Sequence, residues 1–373
     1  MISKMMFIEN RRFTMKNNKC KKLFPGGNTT QGFFSYFDYI IRPDANRFFI
    51  LKGGPGVGKS SFMKKIGNEM LQKGFTIEEH YCSSSNDSLD ALVIKELDIG
   101  IVDGTAPHMI DPNNPGAVDE IVNLGDYLDE YHLVKHKTES MAMNQETNKC
   151  FRRAYKYLNA IVPFIQDIRD IYENGMDTYR FHQLYDSMQK NIFEHVDKKN
   201  KIGFTRHLFG SSITPKGFID YQETVFDGID DITYIKGNWG TGWDTLLEGL
   251  GKKATLLGYD VEAYHTPLAP NIIEDLIIPE LNIALTTKVK FIDQSSCVID
   301  LDALVDSKIL QKYKKEIEYD KKMIDELIAK SIEYVNEAKL AHDKLESFYI
   351  PAMDFNAVNE KRKEILKRIL QYA

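Results

Sequence analysis

The chain contains one unit twice. The segment FFILKGGPGVGKSSFMKKIG from Phe48 aligns with ITYIKGNWGTGWDTLLEGLG from Ile232, so Lys52, Gly53, Gly56, Gly58 and Gly67 fall on Lys236, Gly237, Gly240, Gly242 and Gly251. At the same spacing of 184 residues, Gly74 falls on Gly258, Leu92 on Leu276, and LDIGIVD (97–103) on LNIALTT (281–287) without a gap. Self-similarity over about fifty residues excludes coincidence and requires the chain to build one supersecondary unit twice. Upstream, TQGFFSYFD from Thr30 matches TPKGFIDYQ from Thr214 with one residue of slippage. Downstream the spacing becomes 177, placing Leu124 on Leu301, Asp129 on Asp306, Tyr157 on Tyr334, Asn159 on Asn336, Tyr172 on Tyr349 and Met176-Asp177 on Met353-Asp354. The change fits loss of a DPNNPG-like loop (111–116) from the second copy.

Within the first copy, FFIL (48–51) reads as a short buried strand, a glycine turn follows, and SFMKKIGNEMLQKG has helical spacing that stops at Gly74. TIEEHYC and LDIGIVD read as further strands, with DSLDALVIKE between them compatible with a helix. That alternation predicts a parallel sheet covered by helices. Residues 138–195 and 306–372 are rich in Lys, Glu, Tyr and Leu at helical spacing, which predicts paired antiparallel helices. The expected fold class is α/β, with two tandem parallel-sheet cores, each followed by a helical arm. The expected divisions are a tail (1–23), a first copy (24–208, core to about 130, arm from 131) and a second copy (209–373, core to about 305, arm from 306).

A chain of 373 residues is long enough for two to three domains. Its 48 Lys and Arg against 54 Asp and Glu give a net charge of −6, which is no footprint for non-specific nucleic-acid binding. Cys20, Cys82, Cys150 and Cys297 stand singly, with no CxxC pair, so neither a disulfide framework nor a zinc cluster is indicated. No apolar stretch follows the basic N-terminus, and none is long enough to span a membrane. A cytoplasmic setting is expected. Met15 offers a second start and residues 1–14 lack periodicity, hence the assignment of a tail.

The segment GGPGVGKS satisfies G-x-x-x-x-G-K-[ST] between a predicted strand and a predicted helix, the Walker A pattern. Glycines let the backbone wrap so that N–H groups face phosphate oxygens, and the helix N-terminus adds its positive end. Gly53, Gly54, Pro55, Gly56, Val57, Gly58, Lys59, Ser60 and Ser61 are the candidate nucleotide-binding residues, with Lys59 reaching the β and γ phosphates and Ser60 ligating Mg²⁺. A glycine turn that binds nothing is the plain alternative. Asp103 ends the strand IGIVD and is the candidate Walker B carboxylate for the metal shell; an aspartate capping the turn at Gly104 is the alternative. Gly104 stands where many ATPases carry a catalytic glutamate, so the water-activating group must lie elsewhere. Thr105 and His108, or Ser83, Ser84, Asp87 and Asp90, follow strand ends on the side where open α/β sheets bind ligands, although turn formers and caps also look like this. Asp87 would serve as a base for a kinase substrate hydroxyl or as a γ-phosphate sensor, and is counted with Lys59 and Asp103 as catalytic.

The second loop, GNWGTGWDT, has Trp243 for the lysine and Asp244 for the serine, and Thr287 replaces Asp103. A carboxylate there repels phosphate, so this copy reads as a degenerate site, with a different ligand at Trp239 or Trp243 the lesser option. No arginine lies between Arg206 and Arg362, leaving the second core only lysines such as Lys236, Lys252 or Lys288. An arginine finger would have to come from Arg42, Arg47, Arg152, Arg153, Arg169 or another molecule. His132 and His136 have i, i+4 spacing without an evident third ligand, which suits a solvated helix face. The absence of an N-K-x-D motif favours ATP over GTP.

The segments FPGGNTTQGFFSYFD, GGPGVGKSS and DGTAPH, with the degenerate GNWGTG repeat, resemble a bacterial family of tandem P-loop ATPases of uncharacterised role, over nearly the whole chain after Phe24. The resemblance implies two P-loop NTPase-like cores in an intracellular protein that binds ATP through Lys59, Ser60 and Asp103; it implies no pathway. The expected function is Mg-ATP binding with hydrolysis that couples nucleotide state to an unidentified protein or small-molecule partner. A kinase passing the γ-phosphoryl group to a small molecule or nucleotide is the first alternative, and a nucleotide-gated binding module the second.

Overall fold

The computed structural model describes residues 19–106 and 108–373. Residues 1–18 of the expected tail and Pro107 lie outside the described residues. Cys20–Leu23, also assigned to the tail, instead form strand β1.

After β1 come β2 (Gly26–Thr29), β3 (Gly32–Ser35), β4 (Arg47–Lys52), α1 (Lys59–Gln72), β5 (Ile77–Cys82), β6 (Ser85–Ile94), β7 (Ile99–Asp103) and β8 (Asp119–Asn123). The first core sheet has the order β1-β5-β6-β7-β4-β8. β6 is antiparallel to both neighbours and the remaining pairs are parallel, so the sheet is mixed rather than parallel as expected. The helix anticipated at DSLDALVIKE is strand β6. Its run Leu89–Ile94, apolar but for Asp90, is buried at every position, and a short buried run of this kind fits a strand as well as a helix. Helix α1 packs Phe62, Met63, Ile66 and Met70 against the sheet, the i, i+4, i+8 stripe of an amphipathic helix. Gly67 permits the close approach, since a Cβ there would lie 3.0 Å from Leu92 Cδ1.

The first arm contains α2 (Glu130–Lys135), α3 (Lys137–Asn159), α4 (Val162–Gly175) and α5 (Thr178–Phe193). Next follow β9 (Thr205–Leu208), β10 (Ser211–Thr214), β11 (Gly217–Asp220) and α6 (Gln222–Val225). The second core contains β12 (Asp231–Lys236), α7 (Trp243–Leu256), β13 (Val261–Thr266), β14 (Ala269–Ile278), β15 (Ile283–Thr286) and β16 (Cys297–Asp300). Its sheet order, β9-β13-β14-β15-β12-β16, repeats the first strand for strand. The chain ends with α8 (Ser307–Lys312), α9 (Lys314–Tyr349) and α10 (Phe355–Ile369).

The arms keep the 177-residue correspondence down to their caps. Asp129 and Asp306 cap α2 and α8, and Asp177 and Asp354 cap α5 and α10, each accepting from an amide of the first turn. One difference has a clear cause. Pro163 sits in the first turn of α4 and lacks the N–H that would continue α3, whereas Leu340 occupies its place inside the uninterrupted 36-residue α9.

The chain divides into two units, and the division cuts across the two sequence copies. One unit contains Asn18–Tyr157, Phe209–Val225 and Ala329–Ala373; the other contains Leu158–Leu208 and Phe226–Ile328. Each core therefore shares its unit with the first part of the arm that follows it in sequence and with the last part of the other copy's arm. In the first unit, Val358, Ile365, Leu366 and Ile369 of α10 join the core of α1 and its sheet, and Arg362 bonds Glu69 while Arg368 bonds Glu120. Each fully buried aliphatic side chain of this kind contributes about 1.5–3 kcal/mol, an ample anchor for a single helix. In the other unit, Leu184, Met188 and Phe193 of α5 pack with α7 in the same manner. One edge of the division falls after Leu208, where the boundary is expected, and β10 and β11 beyond it join β2 and β3 in a four-stranded sheet, order β11-β10-β2-β3. Buried Asn28 locks that junction: its Nδ2 donates to Ile213 O (2.9 Å) and Ser83 O (3.2 Å), and Tyr155 Oη donates to its Oδ1 (3.0 Å).

Candidate functional site

The loop 53–58 leaves the end of β4 and enters α1 through two turns that need positive φ. Gly56 (φ 71°) and Gly58 (φ 93°) supply them, as Gly240 (88°) and Gly242 (84°) do in the second copy. Gly58 is the N-cap of α1 and has no side chain to satisfy the first-turn amides, so those donors are left for another acceptor.

Lys59, at the first position of α1, is 8% exposed and turns its Nζ back over the loop. It donates to Gly53 O (2.8 Å) and Gly54 O (2.9 Å) and lies 3.6 Å from Asp103 Oδ2. The parallel register Leu51↔Asp103 brings this carboxylate to the loop. Thr105 fixes its orientation, donating to Oδ1 from the backbone N–H (3.0 Å) and from the hydroxyl (2.6 Å) and leaving Oδ2 towards Lys59. Ser60 Oγ accepts the Leu89 amide (2.9 Å), which ties α1 to β6.

A second carboxyl stands beside the first. The register Ala91↔Val102 places Asp90 next to Asp103 across β6 and β7. Asp90 is buried, and burial together with the Asp103 charge pushes its carboxyl up to about 8. His108 lies 3.7 Å from Asp90 Oδ2 and stacks on Phe37 at 4.0 Å between centroids. Burial lowers this imidazole to about 4, and its Nδ1 has no hydrogen-bond partner among the described residues. At neutral pH both groups are uncharged, so neither adds a charge beside Lys59 and Asp103.

Asp87, by contrast, is not brought to this cluster. Its side chain is 79% exposed at the start of β6 and pairs with Lys216 (3.0 Å), a cation that holds its carboxyl below the usual range. Ser83 and Ser84 form the β5–β6 turn. Of the candidate arginines, Arg47 pairs with Glu120 (3.0 Å), Arg42 with Asp44 (3.9 Å), Arg153 donates to Tyr334 (3.2 Å) and Arg169 is bound to Asp244. His136 stacks on Phe348, and among the described residues no group of three or more His, Cys, Asp or Glu converges.

The second loop is filled by its own chain. Trp243, at the lysine position, is 6% exposed within the α7 core, and Asp244 is bound by Arg169 of α4. Glu274, at the position of Asp90, is paired with Lys288 (2.7 Å), and Lys236 with Asp300 (2.7 Å).

Sequence reasoning missed the groups that the C-terminal arm adds to the first loop. A Cβ on Gly54 would fall 2.6 Å from Tyr349 Cε1, one on Gly56 3.2 Å from Ile350 Cγ1, and one on Gly58 3.4 Å from Phe355 Cε1. That Cβ on Gly56 would also lie 3.3 Å from the main-chain oxygen of Glu346 and 3.4 Å from its Cβ. The repeat offered one signal, since Glu346 corresponds to Arg169 and Tyr349 to Tyr172. No described helix is long and apolar enough to cross a membrane. No protein-family model, no curated protein and no solved structure matches this chain, so the geometry of the first loop carries the functional argument.

Proposed function

We propose that the first core is a P-loop NTPase-like domain that binds Mg-ATP and hydrolyses it, and that the second is its non-binding counterpart. The observation that carries this reading is the convergence of buried Lys59 with the glycine-loop carbonyls and Asp103 Oδ2 at the start of α1. The residues present suit the group. Loop amides and Lys59 offer positive charge to a polyphosphate, while Ser60 and Asp103 are oxygen ligands of the kind Mg²⁺ takes when phosphates and water complete its shell. Bound Mg-ATP supplies the phosphoanhydride that is cleaved. Lys59 would exchange the loop carbonyls for the phosphates, and Thr105, which holds Asp103 Oδ1, would leave Oδ2 for the metal shell. Coupling to a partner through the arm packed on the loop completes the proposal.

The kinase alternative leans on Asp87 beside an acceptor, and an 79% exposed carboxylate paired with Lys216 gives it no support. Single-turnover conversion of γ-labelled ATP with Mg²⁺, compared between the wild type and Lys59→Ala, tests the reading. ADP with free phosphate, lost in Lys59→Ala, is the expected result. Label on an added acceptor would move the protein to the kinases, and binding without turnover would reduce it to a gated module.

A further inference from the structure

Gly104 leaves the first site without a carboxylate directly after Asp103, so the group that holds an attacking water has to come from another position. The loop that leaves β7 brings one. Lys52 Nζ staples this loop to the end of β4, donating to Gly104 O (2.9 Å), Ile110 O (2.6 Å) and Asp111 Oδ1 (3.2 Å). Between those anchors the His108 ring lies on Phe37, 4.0 Å between centroids, and its side chain is 7% exposed. Its Nε2 faces Asp90 Oδ2 at 3.7 Å, Asp90 stands next to Asp103 across β6 and β7, and Asp103 Oδ2 is 3.6 Å from Lys59. The imidazole is therefore one side chain away from the pair that would meet the γ-phosphate and the metal. Its Nδ1 is buried without a hydrogen-bond partner among the described residues, an unmet bond that a water would complete.

We propose that His108 is the catalytic residue that positions the attacking water at the first site, with Asp90 as the positioning residue behind it. This inference rests on the Mg-ATP hydrolysis reading above. With the ring proton on Nε2, on the Asp90 side, Nδ1 is left as an acceptor and takes a hydrogen bond from the water. The water oxygen forms a bond to the γ-phosphorus as the bond from that phosphorus to the bridging oxygen breaks, its electron pair leaving with ADP. One water proton stays on the attacking oxygen and the other passes to a γ-phosphate oxygen, so the products are ADP and dihydrogen phosphate. The imidazole keeps its own proton count throughout, and burial that disfavours its charged form is no obstacle.

The second copy supports the assignment by what it lacks as a set. At the spacing of 184 residues, Lys59, Asp103, Thr105 and His108 fall on Trp243, Thr287, Val289 and Ile292. Phe37, two residues past β3, falls on Gln222, two residues past β11. The imidazole and the ring beneath it are thus missing from the copy that has neither the phosphate lysine nor the metal carboxylate, whereas core positions such as Leu92 and Leu276 are shared.

The test compares the full chain as wild type, His108→Phe, His108→Asn and Lys59→Ala, by calorimetric titration of Mg-ATP and by single-turnover cleavage of γ-labelled ATP. Phenylalanine keeps a ring on Phe37 and removes both nitrogens, whereas the asparagine amide places a polar atom near the position of Nδ1. His108→Phe is expected to bind Mg-ATP with wild-type affinity and to cleave it about a hundred-fold more slowly, and His108→Asn to recover part of that rate. Lys59-dependent cleavage at the wild-type rate in His108→Phe overturns the role of His108 and leaves the hydrolysis reading intact. A loss of affinity that matches the loss of rate in both His108 variants makes the residue structural and overturns the role as well. No cleavage in wild type overturns both readings.

Discussion

Arg169 is bound to Asp244, and this pair closes the second glycine loop at the residue where the first loop has Ser60. Both side chains are about three-quarters or more buried, so solvent screens the pair less than it would a surface bridge. The second loop therefore carries its own counter-ion. A double-mutant cycle with Arg169→Ala and Asp244→Ala should give a coupling energy of about 1 kcal/mol in chemical denaturation, each single change costing more than it does when the partner is already gone. Additive costs would contradict the ion pair.

Asp87 should be dispensable. An exposed pair with Lys216 contributes at most about 1 kcal/mol, and Asp87→Ala should leave both the unfolding midpoint and any ATP turnover close to wild type. A large loss of turnover in Asp87→Ala would return the residue to the catalytic site.

Asp90 and His108 give the stability of the first unit a defined pH dependence. Folding raises Asp90 from 3.8 to about 8, so between those values the folded chain holds the extra proton and stability falls as pH rises. It lowers His108 from 6.5 to about 4, so between those values the unfolded chain holds the extra proton and stability rises with pH. The two slopes oppose each other up to about pH 6.5, above which Asp90 acts alone. The melting temperature should decline from pH 6.5 to 8, and Asp90→Asn should flatten that decline. An unchanged slope in the variant would place the titration elsewhere.

Gly54 and Tyr349 should be coupled through packing. A methyl group on Gly54 would fall 2.6 Å from the Tyr349 ring, inside any permitted contact. Gly54→Ala should cost roughly 1–3 kcal/mol and increase proteolysis near the end of α9, and adding Tyr349→Ala should restore most of that stability. Equal instability in the double variant would mean that the strain lies in the loop itself.

The repeat made much of the fold legible: matched glycines and caps correctly paired the two cores, because tight turns and helix starts tolerate few residue types. β6 was not legible, since Leu89–Ile94 is buried throughout and has no alternation to separate strand from helix. Nor were the arms' partners. The apolar stripe of α10, Val358 to Ile369, states that the helix must be covered but not by which of two similar cores. At the site, Lys59 and Asp103 were legible from motif and strand end, and the structure brings them within 3.6 Å. The packing of Glu346 against Gly56 joins residues 290 positions apart, beyond any local pattern.

The central claim is that the chain has one competent nucleotide site, at Lys59. Equilibrium binding of Mg-ATP to the full chain, read as stoichiometry in wild type and Lys59→Ala, tests it most directly. The account predicts one nucleotide per chain and a loss of about ten-fold to a hundred-fold in affinity for a Lys59→Ala protein that melts like wild type, the worth of charge-assisted hydrogen bonds to phosphate. Two nucleotides per chain, or one whose affinity ignores Lys59, would contradict it.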